Sequence, residues 1–325
     1  MRRRRFLAGL ALGCFACLPQ VGALAEQGFP SRPITLVVPF APGGATDIVA
    51  RLLAVQVSND LGQSVVVENR AGGAGNTGTA AVARSTPDGY TIVLATTTQL
   101  VNQFLMRDLP YNLFTDLVPV ALIADAPEIM VISGKLGINT VPEFVAAARA
   151  KSQGFNYGSA GNGSVPHLGG EILARAIKAP MVHVPFRGTA DAIRELVTGN
   201  VQLSFTTQAS VASFVGSGQV KLLAVAAPKR VTTLPDLPTT AEAGIPNVEL
   251  SNWFGIMAPK GTSPELVARL NQSFNKALAH AETAKILVGQ GIEPVREPAA
   301  YFAKRLQDDA ANYQAILKDI GLSVR

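Results

Sequence analysis

Short β-branched runs recur along the 325-residue chain, and nearly every one is followed by a segment whose apolar residues fall at helical spacing. The run at residues 34–39 precedes Ile48, Val49, Leu52, Leu53 and Val55, and a second run follows at 64–68, which reads as β-α-β. The alternation continues with a helix through 80–84, a strand at 90–96, an apolar stretch at 118–124 followed by 129–133, a helix at 142–150 and a strand at 155–157. Next come a helix with Leu168, Ile172, Leu173 and Ile177 on one side, a strand at 182–186, a helix carrying Ile193, Leu196 and Val197 that stops at Gly199-Asn200, and strands at 201–205 and 220–226. Strands separated by helices predict an α/β protein with mostly parallel sheets covered on both faces. The tail differs in kind. Ser263-Pro264-Glu265 supplies a cap, a proline at the first helical position and an early acid, and the last helix carries Phe302, Leu306, Tyr313, Leu317 and Ile320 as one apolar stripe.

The first 25 residues are read apart from the fold. Four arginines at 2–5 precede an apolar run at 6–18 that leads to Ala23-Leu24-Ala25; this is the layout of a cleavable signal peptide, too short in its apolar part to span a bilayer. Arginines followed by Phe6-Leu7 fit a twin-arginine signal as well as a general secretory one. A lipoprotein signal would need a leucine three positions before the acylated cysteine, and Cys14 and Cys17 have Ala11 and Cys14 there. Loss of the four arginines takes the formal charge from +5 to +1, so the high pI of the full sequence gives no reason to expect nucleic acid as a partner. Both cysteines lie in the same segment, which leaves no thiol for catalysis, disulfides or metal binding and suits an oxidising compartment.

The remaining chain exceeds the usual size of a single core, so two domains are expected. Apolar segments at 122–132 and 250–258 are the candidate crossovers between them. The first domain would then be discontinuous, 26–124 plus 252–325, and the second would be 125–251. The Pro- and Thr-rich stretch at 228–246 reads as a surface excursion.

Glycine-rich loops sit where strands turn into helices. In Pro39-Phe40-Ala41-Pro42-Gly43-Gly44-Ala45-Thr46-Asp47 two adjacent glycines allow close approach of backbone to a ligand, and the helix that follows offers unpaired N–H groups and its positive end. That describes an anion seat, and equally a tight turn with Asp47 placed in the first helical turn. A second loop, Gly73-Ala74-Gly75-Asn76-Thr77-Gly78, is a literal G-x-G-x-x-G. A dinucleotide site wants an acid at the end of the next strand, and that strand ends in Ala95-Thr96-Thr97-Thr98. The second half repeats the device at 158–164, which runs into the helix bearing His167, and at 186–191. Open α/β sheets bind ligands at such strand ends, so a small anion held between two loop systems is the expectation. Catalysis finds little support: His167, His183 and His280 form no metal spacing, and no serine has the glycine flanks of a nucleophile elbow.

Taken in order, Phe29-Pro30-Ser31-Arg32-Pro33-Ile34, Pro42-Gly43-Gly44 with Asp47, Glu68-Asn69-Arg70 with the second glycine loop, Pro87-Asp88-Gly89-Tyr90-Thr91, Gly163-Ser164 with His167-Leu168-Gly169-Gly170-Glu171, and Val184-Pro185-Phe186-Arg187-Gly188 resemble the solute-binding receptors of tripartite tricarboxylate transporters, the TctC or Bordetella-uptake type. The likeness covers nearly all of the chain after the signal, with Gly169 where the family usually has alanine. It implies a type II periplasmic binding-protein fold, two α/β domains closing on a ligand cleft, no cofactor, no enzymatic activity, and a monomer in the periplasm that delivers a small carboxylate to a membrane permease. Matched by position, it implies ligand contacts from Phe40, Gly43, Gly44, Thr46 and Asp47, from Asn76, from Thr97, Thr98 and Gln99, from Ser159, Ser164 and His167, from Arg187, Gly188, Thr189, Ala190 and Asp191, and from Thr207 and Gln208.

Overall fold

The computed structural model describes residues 28–319 and 321–322. The expected signal segment and Ile320 of the final stripe lie outside them. Eleven strands and ten α-helices follow one another among the described residues. The first half runs β1 (Ile34–Val38), α1 (Ala45–Leu61), β2 (Val65–Asn69), α2 (Asn76–Ala83), β3 (Thr91–Thr96), α3 (Thr97–Leu105), β4 (Leu117–Pro127) and β5 (Ile129–Ser133). It continues with α4 (Val141–Ala150), β6 (Phe155–Ser159), α5 (Val165–Ile177), β7 (Met181–Pro185), α6 (Thr189–Thr198), β8 (Leu203–Thr206), α7 (Gln208–Val215) and β9 (Val220–Val225). The tail holds β10 (Ser251–Pro259), α8 (Pro264–Ala279), α9 (Ala281–Gly289), β11 (Glu293–Pro294) and α10 (Ala299–Asp319).

The strands form two sheets, with orders β11-β4-β10-β3-β1-β2 and β7-β6-β8-β5-β9. Both are mixed rather than mostly parallel. β1 pairs parallel with β2 and β3, and β6 parallel with β7 and β8, whereas β10 runs antiparallel to β3 and β4, and β5 antiparallel to β8 and β9. The reason is the pair of crossovers. β4 carries the chain out of the first sheet towards β5 in the second, and β10 brings it back alongside β4, so the outgoing and returning strands must oppose each other. Both segments read as crossovers in the sequence are therefore strands for most of their length.

Period-two alternation sorts the first sheet into two faces. Ile34, Leu36, Val38, Ile92 and Leu94 belong to a buried cluster with Val49, Leu53 and Val57 of α1 and Leu270, Phe274 and Leu278 of α8. Val37, Val93 and Ala95, on the other face, join a cluster containing Leu100 of α3, Phe302 and Leu306 of α10, and also Tyr157, Leu168 and Phe205 of the second sheet's layer. The apolar interior is thus continuous between the sheets. Arg305 locks α10 to this frame, 2.9 Å from Asp125 on β4 and 2.9 Å from Asp309 one turn on.

The sequence pattern did not signal two helices. α3 starts directly from β3, with Thr96 as its cap in a capping box with Gln99, and no glycine or proline marks the change of period. α7 follows β8 in the same way after Thr207. Close approaches are set by glycine: a Cβ on Gly255 would lie 2.2 Å from Phe302 Cζ, and one on Gly78 would lie 2.7 Å from the Arg70 carbonyl oxygen. Substituting Gly255→Ala should therefore cost about 1–3 kcal/mol through overpacking, seen as a lower melting temperature with the secondary structure retained; an unchanged melting temperature would show that α10 moves aside freely.

Candidate functional site

Each parallel strand ends in a loop that delivers a helix N-terminus, and the two sheets face these ends towards one another. The first loop is braced from within. The Asp47 carboxylate accepts hydrogen bonds from the Gly43 N–H at 3.0 Å, Asn69 Nδ2 at 2.9 Å and Arg51 Nε at 3.0 Å, and Asn69 Nδ2 also donates to the Phe40 carbonyl at 3.1 Å. Burial pushes the Asp47 carboxyl up, but the donors from Arg51, Asn69 and Gly43 outweigh it and hold its pKa below the ordinary value. Gly43, at φ +90°, is in a conformation that a side chain would strain.

Between the loop systems lies an enclosed cavity of about 30 Å³, space for one or two water molecules. Among the described residues, five helices begin at its wall: α1 through Gly44 to Asp47, α3 through Thr96 and Thr98, α5 through Pro166, α6 through Thr189, and α7 through Thr207 and Ser210. The starts at this wall are of two kinds, and α3 and α5 are capped by the side chains of Thr96 and Ser164. α4 and α8 are capped by the side chains of Thr140 and Ser263, whereas α1, α6 and α7 start without any side-chain cap. The uncapped N–H groups and positive dipole ends are therefore turned on the cavity. Two contacts close it: the Ala45 N–H donates to Ser210 Oγ at 3.3 Å, and the Val165 N–H donates to Thr98 Oγ1 at 3.4 Å.

One acid in this wall is of a different kind. Glu128 sits between β4 and β5, 2% exposed, its N–H bonded to the Leu250 carbonyl and its carbonyl accepting from Ala226. Among the described residues its Oε2 accepts no hydrogen bond from the protein, and the same is true of Thr206 Oγ1 and Asn252 Oδ1, two other wall residues. Burial raises the Glu128 pKa to about 8, so the side chain is a neutral acid at pH 7.

The residues expected to meet ligand divide into two groups. Phe40, Gly44, Thr46, Asp47, Thr98, Thr189 and Thr207 line the cavity, and Gly43, Gly188 and Ala190 close it from behind, with Gly43 and Ala190 within van der Waals reach of each other and Gly188 against the Ala41 backbone. The others are engaged elsewhere. Thr97 Oγ1 accepts from the Trp253 N–H at 2.9 Å, Gln99 Nε2 donates to the Ala74 carbonyl at 3.2 Å, and Asn76 Oδ1 accepts from Tyr111 at 2.8 Å. Gln208 Oε1 accepts from Thr233 at 2.7 Å. Ser164 caps α5 through the His167 N–H. Ser159 Oγ lies 2.6 Å from His183 Nε2, and His167 stacks on His183 with ring centroids 4.0 Å apart beside a separate 250 Å³ pocket. Arg187 and Asp191 border an open groove of about 660 Å³ between the loops at 72–74 and those at 161–162 and 185–195, where Asp191 pairs with Arg194. Glu128, Thr206, Ser210 and Asn252 were not anticipated. The available signal was chemical: Glu128 is an acid inside an apolar crossover, where a charge has no ordinary reason to be.

Among the described residues no group of three or more His, Cys, Asp or Glu side chains converges to hold a metal, and no helix is long and apolar enough to cross a membrane.

This two-domain α/β architecture is that of periplasmic binding proteins. It superposes on the solved structure of the periplasmic binding protein BugD with a TM-score of 0.88 at 33% identity, covering 91% of this chain and 100% of that one. A Rhodopseudomonas palustris protein solved with adipate matches with a TM-score of 0.88 at 32% identity over 91% and 100% of the two chains, and MatC from the same organism, with bound malate, at 0.85 and 31% over 89% and 100%. Residues 49–322 match the family model of the tripartite tricarboxylate transporter family receptor. The chain belongs to that family, TctC, a family of solute-binding receptors.

A neutral Glu128 fixes the sign of one pH effect. Unfolded, this carboxyl ionises near 4.5 while the folded protein keeps its proton up to about 8, so the unfolded state binds fewer protons across that window and stability falls as pH rises through it. Replacing Glu128→Gln removes this dependence. Relative to wild type, the variant should gain stability between pH 5 and pH 8, on the order of 4 kcal/mol at most; a melting-temperature difference that is the same at both pH values would show that Glu128 is already ionised in the fold.

Proposed function

We propose that this chain is the exported receptor of a tripartite tricarboxylate-type uptake system, which takes up a small carboxylate between its two domains in the periplasm and hands it to a membrane permease. The convergence of uncapped helix starts from both sheets on one cavity carries this reading. A carboxylate seated there would satisfy backbone N–H groups that have no side-chain cap and would meet three positive dipole ends without needing a buried arginine. Charge-assisted hydrogen bonds contribute about 1.5–3 kcal/mol each. Three or four of them give roughly 6–8 kcal/mol, comparable to micromolar affinity. The adipate and malate complexes of related proteins support a small carboxylate as ligand.

A cavity of 30 Å³ is too small for such a molecule, so the reading includes a movement. The domains, dividing near 125 and 251–252, part by bending where β4 passes into β5 and where the chain returns at Leu250 to Asn252. Such hinges fall at the ends of elements. Among the described residues, opening breaks the Ala45–Ser210 and Val165–Thr98 hydrogen bonds noted above and parts apolar contacts between the two layers, and a bound carboxylate restores a bridge between the same helices.

Thermal unfolding of residues 26–325 against mono-, di- and tricarboxylates, amino acids, aromatic acids and NAD tests this. A ligand at about 100 times its Kd adds roughly 2.7 kcal/mol of stability, so at least one carboxylate should raise the melting temperature by several degrees. No shift with any acid, together with a shift by NAD, would favour a nucleotide-dependent protein instead. The first loop is tested separately by Gly44→Val. A Cβ at Gly44 meets nothing closer than 3.8 Å, so the fold should tolerate the side chain while the branched methyls fill the cavity and reduce carboxylate affinity by about a hundredfold or more, a loss of roughly 2.7 kcal/mol; full affinity in that variant would remove this loop from the site.

A further inference from the structure

A site built only for carboxylate has no use for an acid in its wall, yet Glu128 lies there, 2% exposed and with Oε2 unpaired. Its neighbours share its chemistry. Thr206 stands on β8 beside Ile129, the residue after Glu128, and Asn252 stands on β10 opposite Ala126, two residues before it. Both line the same cavity and both present an oxygen that accepts nothing from the described protein. The cavity wall therefore combines two chemistries. The N–H groups of α1, α6 and α7 donate. Glu128 and Asn252 at the crossovers and Thr206 on β8 add three oxygens that can accept and have no partner among the described residues.

From this combination we infer, building on the carboxylate-receptor reading above, that Glu128 with Thr206 and Asn252 selects ligands bearing a protonated amine as well as a carboxylate, that is, zwitterionic amino acids in the broad sense. An ammonium group carries three donors and no acceptor, which matches three unpaired acceptors. A carboxylate buried without a partner is costly, so the proton stays on Glu128 until a cation arrives to replace it. A plain diacid brings a second carboxylate beside Glu128 and can be accommodated only while that acid keeps its proton, with donors limited to the Glu128 and Thr206 hydroxyls and the Asn252 amide. The other charged wall residue, Asp47, does not compete for the cation, because its oxygens already accept from Arg51, Asn69 and the Gly43 N–H.

The test is isothermal titration of the mature chain with matched pairs that differ by an amine: L-glutamate and glutarate, L-aspartate and succinate, 4-aminobutyrate and butyrate, with the twenty common amino acids surveyed first. The amine-bearing member of at least one pair should bind tighter by about tenfold or more, since buried acceptors left without donors penalise the analogue that lacks them. Glu128→Gln should erase most of that ratio by weakening the amine-bearing member far more than the plain acid. Thr206→Val, which removes an acceptor without altering charge, should narrow the ratio in the same direction and covers the case in which the Gln variant folds poorly. Binding of plain acids with a ratio that neither variant changes would overturn the role of Glu128 and leave the carboxylate reading standing. Absence of binding by every acid, with or without an amine, would overturn both.

Discussion

The first turn of an α-helix has N–H groups with no partner inside the helix, and the organisation of this protein follows from where those of α1, α6 and α7 point. Elsewhere α4 and α8, and at the same wall α3 and α5, finish their first turns with Ser or Thr side chains. These three do not, and two of them begin after glycines, Gly44 and Gly188. Gly188 lets backbone meet backbone across the cavity, since a Cβ there would come within 3.1 Å of the Ala41 nitrogen. The donors that α1, α6 and α7 leave without a side-chain cap therefore meet in one small volume. The Asp47 clamp keeps the first of those helix starts in register with the loop before it.

The crossovers complete the arrangement. A chain that leaves one sheet and returns to it must run two strands side by side in opposite directions, and β4 and β10 do so over their whole length. That pairing makes the connection stiff in the plane of the strands and puts Glu128 and Asn252, which face the cavity, at the level where bending would be concentrated. Helix starts that donate and a buried acid with an unpaired oxygen then share the wall of one space.

Much of this was legible in the sequence. The alternation of β-branched runs with helical spacing located the strands and most helices, and the glycine loops at 39–47 and 186–191 lie at the cavity as their placement after strands suggested. The second glycine loop illustrates a limit. Its last glycine, Gly78, serves packing against Pro39 and Arg70, and the φ-positive Gly75 lies against Gln99 and Phe40, while Asn76 between them is tied to Tyr111 and Asn102. Side chains such as Thr97, Gln99 and Gln208 have the right chemistry and lie in the right segments, but their rotamers point into the protein, which no linear pattern reveals. Antiparallel pairing of β10 was hidden for a similar reason, since its partner lies more than a hundred residues earlier. Glu128 was hidden because an apolar crossover was read for its hydrophobicity and not for its exception.

The most direct measurement is a crystal structure of residues 26–325 with the carboxylate that stabilises it best. The carboxylate oxygens should lie about 2.7–3.2 Å from backbone N–H groups in the first turns of α1, α6 or α7, with Gly44 and Thr189 on either side. A carboxylate found instead in the 660 Å³ groove, paired with the guanidinium of Arg187 or Arg194, would contradict the account at its centre, because charge pairing and not the uncapped helix starts would then define the site.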